Sequence, residues 1–259
     1  MKCVILAAGQ GSRLRPLTNN LPKAMVKFLG LPLISYQTKL LKQSSINEIA
    51  IVTGYCASKL QKLGFKTFHN KRFETTNMVE SLFVSKEFWQ NDASDLIIAY
   101  GDIIYQQKNL DNLLSSHGDI VLMVDDSWID LWSLRQTNPI YDAETLKFNP
   151  DGSIYELGKK PNSLKEIESQ YTGLIKLNGK RKKEFLDFYN KLDREALYDG
   201  KSFDNLYMTQ FIQLLIDNGW HVSASRVNNG WLEIDSTKDL YLYEKMYATG
   251  TLQNLWKRE

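Results

Sequence analysis

The sequence predicts an α/β fold with a doubly wound, mostly parallel central sheet, and three observations predict it. Short apolar runs, CVILAA (3–8), EIAIVT (48–53) and DLIIAY (95–100), alternate with helical patterns. The first two lack the polar alternation of a half-exposed strand, as strands buried on both faces should. The first run leads directly into small residues, Ala7, Ala8 and Gly9, which turn a strand toward a ligand at its C-terminal end.

The elements follow in order. A helix is expected over Leu33–Gln43, then the strand Glu48–Thr53, closed by Gly54 and Tyr55. A helix through Leu63 and a short strand in KTFHN (66–70) continue the alternation. In TTNMVESLFVSKEFW (75–89), Thr76 or Asn77 caps a helix whose apolar positions Met78, Leu82 and Val84 to Phe88 turn inward. DLIIAYGDIIY (95–105) is the centre of the sheet, interrupted only by Gly101 and Asp102. After DIVLMVDD the chain becomes less regular through SWIDLWSLRQTN (127–138). TLKFNPDGSIYEL (145–157) reads as a hairpin turning at Asn149–Gly152. QYTGLIKL (170–177) is a strand, 180–204 is charged and helical with KRKK as a solvated face, and Asp204–Asn218 is an amphipathic helix. Alternation around Trp231–Asp235 gives a last strand with Glu233 and Asp235 on one side, and Ser236 caps a terminal helix.

Length and composition bound the function. At 259 residues the chain suits one domain over 1–259, with an insertion over about 125–205. A content of 43% hydrophobic and 24% charged residues excludes a disordered chain. A net charge of +2 gives no whole-molecule case for nucleic acid or a membrane surface. Cys3 and Cys56 read as reduced, buried thiols, and no signal segment or membrane-length apolar run is seen, so a cytoplasmic location is expected. His69, His117 and His221 have no convincing nucleophile beside them, and no Cys/His spacing suits zinc.

The chemistry concentrates in VILAAGQGSRLRPLTNNLPKAMVKFLGLPLI (4–34). Glycines let backbone amides turn toward a ligand, and Arg13 and Lys23 bring two fixed cations to the same place. That combination suits a polyphosphate. An aspartate at the end of a buried strand, Asp102, is costly unless paired or holding a cation, although a turn aspartate after the strand is the plainer alternative. Trp128 and Trp132 interleave with Asp125, Asp126, Asp130 and Arg135, so aromatics with carboxylates form either an ammonium seat or an acidic flap.

The string LAAGQGSRLRPLTNNLPKAMV (6–26) resembles the nucleotidyltransferase superfamily of sugar-phosphate and choline-phosphate nucleotidyltransferases, closest to the bacterial choline-phosphate cytidylyltransferase branch. The resemblance implies a Rossmann-like fold of the nucleotide-diphospho-sugar transferase type with a small acceptor-binding subdomain. It implies a nucleotide site of Leu6, Ala7, Ala8, Gly9, Gly11, Ser12, Arg13, Lys23, Asn77, Ser81 and Gly101, with Asn77 equally readable as a plain helix cap. It implies Mg²⁺ on Asp102 and Asp235, with Glu233 in support, and catalysis by Arg13, Lys23, Asp102 and Asp235. For the acceptor it offers Lys160 and Tyr171 beside Trp128, Asp130 and Trp132. Where sugar enzymes of the superfamily carry Glu-Lys-Pro, this chain has Lys159-Lys160-Pro161, a departure that counts against a sugar.

The expected function is therefore transfer of CMP from CTP to a small non-sugar phosphate or phosphonate: phosphocholine, aminoethylphosphonate or an amino-acid phosphate such as phosphoglutamine. Its products would decorate surface polysaccharide. The alternatives are a sugar-1-phosphate uridylyl- or thymidylyltransferase and a catalytically silent nucleotide-binding module. The choice of CTP over UTP or dTTP, and of monomer over homodimer, stays open.

Overall fold

The computed structural model describes all 259 residues. Its centre is a seven-stranded sheet in the order Val222–Val227, Ile120–Asp125, Gln170–Leu177, Leu96–Tyr100, Lys2–Ala7, Glu48–Thr53 and Lys66–His69. Only Gln170–Leu177 runs antiparallel to its neighbours. The first strand shows why the sheet is doubly wound. Cys3, Ile5 and Ala7 enter one hydrophobic core and Val4, Leu6 and Ala8 the other, so alternate side chains are buried on opposite faces. One core receives Leu33, Ile34, Leu40 and Leu41 of the helix Leu33–Gln43, and the other Val79, Leu82 and Phe83 of the helix Met78–Val84. No helix is long and apolar enough to cross a membrane. Cys3 is buried, Cys56 is half-buried, and both thiols are free.

The chain reverses its winding direction beside the first strand: it runs outward to Glu48–Thr53 and Lys66–His69, then returns to Leu96–Tyr100 on the other side. A crevice at the C-terminal ends of the strands is expected at such a reversal. Glycines close it. The Gly101 amide donates to the Leu6 carbonyl at 2.9 Å, and a Cβ at Gly101 would lie 2.9 Å from that oxygen and 3.1 Å from the Ala7 Cβ. Gly101→Ala is therefore expected to cost about 1–3 kcal/mol by overpacking. Thermal unfolding should detect it as a midpoint lowered by roughly 2–10 °C, and an unchanged midpoint would refute the close approach.

Several elements differ from the sequence reading. DLIIAYGDIIY is two strands, not one. Leu96–Tyr100 ends at Gly101-Asp102, and Ile103–Tyr105 leaves the main sheet to pair antiparallel with Trp231–Glu233. The irregular stretch after Asp125 contains a helix, Trp128–Arg135. The segment 180–204 is α-helical only over Lys182–Lys191, and a two-stranded hairpin, Leu197–Tyr198 with Lys201–Ser202, follows. The hairpin at 146–157 turns where Gly152 donates to the Asn149 carbonyl.

Candidate functional site

The glycine loop positions the first cation. Gly11 takes φ +71°, open to glycine at no steric cost, and a Cβ there would lie 2.8 Å from the Lys23 Cβ. The lysine stem thus packs on the bare glycine, and its ammonium reaches across the crevice. Lys23 Nζ lies 2.6 Å from Asp102 Oδ2 and 2.5 Å from Asp235 Oδ1. Arg13 reaches the other Asp235 oxygen, Oδ2, also at 2.5 Å. Two loop cations and two carboxylates far apart in sequence, each at the end of a strand, meet at one point. Burial opposes the Lys23 charge, but Asp102, Glu233 and Asp235 outweigh it and hold the pKa above the usual lysine range.

Glu233 completes the cluster. Ligand oxygens of Asp102, Glu233 and Asp235 lie within 4.8 Å of one another, and the buried Asp102 Oδ1 has no hydrogen-bond partner. Three carboxylates, one with an orphaned oxygen, fit a hard divalent cation. Such an ion would neutralise charge on transferring phosphate oxygens. Glu233 is pushed above the usual carboxylate range, first by burial and then by the neighbouring acids, while Arg135 opposes this. Arg135, only 2% exposed at its side chain, pairs with Glu233 at 2.8 Å and with Asp239 at 3.2 Å. Asp239 also forms the capping box with Ser236, so the terminal helix anchors the arginine behind the cluster.

Two cavities meet here. The first is lined by Leu6, Ala7, Ala8, Gly9, Lys23, Asn77, Ser81, Gly101 and Asp102, together with Phe73, Thr76 and Tyr100. Of the residues expected to bind the nucleotide, Gly11, Ser12 and Arg13 lie outside this wall, and Gly11 supports Lys23 from behind. The Asn77 side chain accepts from the Met78 amide at 2.8 Å, so it caps its helix while forming part of the wall. Ser81 accepts from Asn70, a buried residue that the sequence did not single out and that also donates to Thr76.

The second cavity lies past Arg13, Glu233 and Asp235, and includes Tyr100, Trp132, Glu144, Gln170, Tyr171 and Trp231. Trp132 and Tyr171 stand where an acceptor pocket was expected, but Trp128, Asp130 and Lys160 do not. In the Trp128–Arg135 helix, Trp128 and Trp132 share one face and Asp130 points away, because residues two apart lie on opposite sides of a helix. Trp128 packs against Trp132 inside the core, 5.9 Å between ring centroids. Asp130 lines a separate outer groove with Ser133 and Met246. Lys160 is exposed outside the cavity, and Lys159 pairs with Glu156. Asp125, grouped with the acidic stretch by the sequence, is structural: fully buried, it accepts from Trp231 Nε1 and the amides of Ser127 and Asn229. Glu144 and Gln170 were missed: Glu144 sits in no motif or periodic run, and Gln170 opens the expected strand 170–177 with no chemical signal of its own.

One cavity walled by the glycine loop, a second beyond it and a cation–carboxylate cluster between them can bring two anions together against their repulsion. Comparisons with known proteins agree. A family model described as nucleotidyl transferase matches residues 2–122. A Campylobacter jejuni protein named CTP:phosphoglutamine cytidylyltransferase is 44% identical over 248 residues, spanning 93% of this chain and 98% of that one. Two solved structures share the fold. A CTP:phosphocholine cytidylyltransferase from Streptococcus pneumoniae superposes with a TM-score of 0.68 at 23% identity, over 95% of this chain and 98% of that one. The inositol-1-phosphate CTP transferase of T. maritima does so with 0.72 at 21% identity, over 99% and 98%. Sequence identity at the level of the Campylobacter relative, sustained along nearly the whole of both chains, shows that this chain belongs to the nucleotidyl transferase family.

Proposed function

We propose that the protein is a Mg²⁺-dependent cytidylyltransferase that transfers CMP from CTP to a small phosphorylated amino acid, phosphoglutamine foremost, and releases pyrophosphate. The observation that carries the proposal is the Lys23–Asp102–Asp235–Arg13 cluster at the junction of the two cavities. The long relative's name supports CTP and the acceptor. An oxygen of the acceptor phosphate attacks the α-phosphorus, the bond from that phosphorus to the bridging oxygen of the β-phosphate breaks, and pyrophosphate leaves with the bonding pair. The attacking oxygen is already ionised, so no general base is needed. Lys23 would neutralise the reacting phosphate and Arg13 the leaving group, with Asp102, Asp235 and Glu233 holding the ion. The wall residues from 132 to 173 support an acceptor-binding role for the segment 125–205, although its strand Gln170–Leu177 is built into the central sheet. Free thiols fit a cytoplasmic enzyme, and surface-polysaccharide decoration is the proposed use of the product.

The test is pyrophosphate release with Mg²⁺, each of four nucleoside triphosphates, and phosphoglutamine, phosphocholine, aminoethylphosphonate or glucose 1-phosphate. Turnover should be highest with CTP and phosphoglutamine. Turnover confined to glucose 1-phosphate would overturn the proposal.

A further inference from the structure

The second cavity holds a carboxylate that the transfer chemistry does not use. Glu144 lies between the Trp128–Arg135 helix and the hairpin at 146–157, forms no ion pair, and faces the cavity with Tyr100, Tyr171, Trp132 and Trp231. Its position is fixed from behind. The Gln170 side-chain amide, on a residue 4% exposed, donates to the Glu144 carbonyl and accepts from the Glu144 amide at 3.3 Å. A side-chain amide bonded to both the N–H and the C=O of one residue fixes the backbone from which that side chain leaves. Burial raises the Glu144 carboxyl above its usual range, Asp142 and Glu233 add to that, and the Thr209 hydroxyl opposes it. No cation of the protein relieves it.

The aromatic walls carry a second, independent sign of a ligand. Trp132 is 5% exposed, yet its Nε1–H has no partner. Buried polar groups are normally satisfied, and each exception asks for an explanation. Tyr100 and Tyr171 meet edge to face at 5.7 Å, and Trp132 tilts against Trp231 at 5.9 Å. A carboxylate among aromatic rings is the chemistry that receives an organic ammonium, through an ion pair at one side and ring faces at the others. Arg13 and Asp235 share the cavity, so the phosphate of such an acceptor would lie toward them.

We propose that Glu144, held by Gln170 inside the aromatic cavity, is the specificity-determining residue that accepts the ammonium group of the acceptor. This rests on the reading of the protein as a transferase to a phosphorylated amino acid, and adds which residue reads the amine. Permanently methylated ammonium groups have no N–H to donate, so a primary ammonium gains more from Glu144 than a quaternary one.

The experiment compares phosphoglutamine with its Nα-acetyl derivative, which keeps the phosphate and removes the ammonium, in wild type, Glu144→Gln and Glu144→Asp. Wild type should prefer the ammonium acceptor in kcat/KM. Glu144→Gln should lower kcat/KM for that acceptor by roughly 10- to 100-fold, mostly through KM, as expected for losing a charged hydrogen bond. The preference ratio should collapse toward one, and Glu144→Asp should recover part of it. CTP affinity, read by thermal shift, should stay within about twofold of wild type and so report a folded nucleotide cavity. A Glu144→Gln enzyme that keeps the wild-type preference would overturn the role of Glu144 and leave the function standing. A wild type that turns over no phosphorylated amine with CTP would overturn the function and this inference together.

Discussion

Lys23→Ala is expected to lower kcat by roughly 10²–10³-fold, about 3–4 kcal/mol of barrier, the usual loss on removing one preorganised cationic or hydrogen-bonding donor. The structure adds a second consequence. Lys23 Nζ is the positive charge between Asp102 and Asp235, at 2.6 and 2.5 Å, with side chains only 14% and 11% exposed. Removing it leaves Asp102 with no cationic partner and within 4.8 Å of the Glu233 and Asp235 carboxylates. Breaking a fully buried pair costs about 3–5 kcal/mol, and the crevice opens to solvent, so about 1–3 kcal/mol of stability should be lost without metal. A divalent ion can occupy the same electrostatic position, so Mg²⁺ should restore the midpoint of Lys23→Ala by more than it raises that of wild type. Single-turnover pyrophosphate release and thermal unfolding with and without Mg²⁺ read the two effects separately. Near-normal turnover would remove Lys23 from the reaction, whatever the stability shows.

The parts of this site that the sequence disclosed are those made locally. Gly11, Arg13 and Lys23 lie in one unbroken string, and their types and order are enough to name the chemistry. Helix Leu33–Gln43 and strands Glu48–Thr53 and Gln170–Leu177 have the bounds expected of them, because long apolar runs stop at turn-forming or polar residues. The parts that stayed hidden depend on pairing between distant segments. Asp102 leaves the central sheet only because Ile103–Tyr105 finds Trp231–Glu233, and nothing near residue 102 announces that partner. Trp128–Arg135 is a helix of two turns in a stretch that reads as irregular, so the sequence does not disclose that Asp130 faces away from Trp128 and Trp132. Glu144 sits in a connection with no period. Tyr171 is named by the sequence, but its place beside Glu144, and the role of Gln170, follow only once the antiparallel strand Gln170–Leu177 is inserted between Ile120–Asp125 and Leu96–Tyr100.

Asp235→Asn should separate activity from stability in the opposite sense to Lys23→Ala. Asp235 joins both loop cations, Lys23 through one oxygen and Arg13 through the other, and it lies in the carboxylate cluster. Neutralising it weakens the ion's seat and frees the Arg13 side chain, already 67% exposed, from the protein that orients it. Charge stabilisation by a bound ion contributes several kcal/mol to such a reaction, so kcat/KM should fall by roughly 10²–10⁴-fold. The folded state loses little. Lys23 keeps Asp102 as its partner at 2.6 Å, and one of three mutually repelling carboxylates is gone. The unfolding midpoint without metal should therefore move by no more than the equivalent of about 1 kcal/mol in either direction. Mn²⁺ binding followed by its paramagnetic resonance should weaken in parallel with turnover. If Asp235→Asn binds Mn²⁺ as tightly as wild type while losing activity, the aspartate acts by orienting Arg13 and Lys23 rather than by holding the ion, and Asp102 with Glu233 must carry the metal.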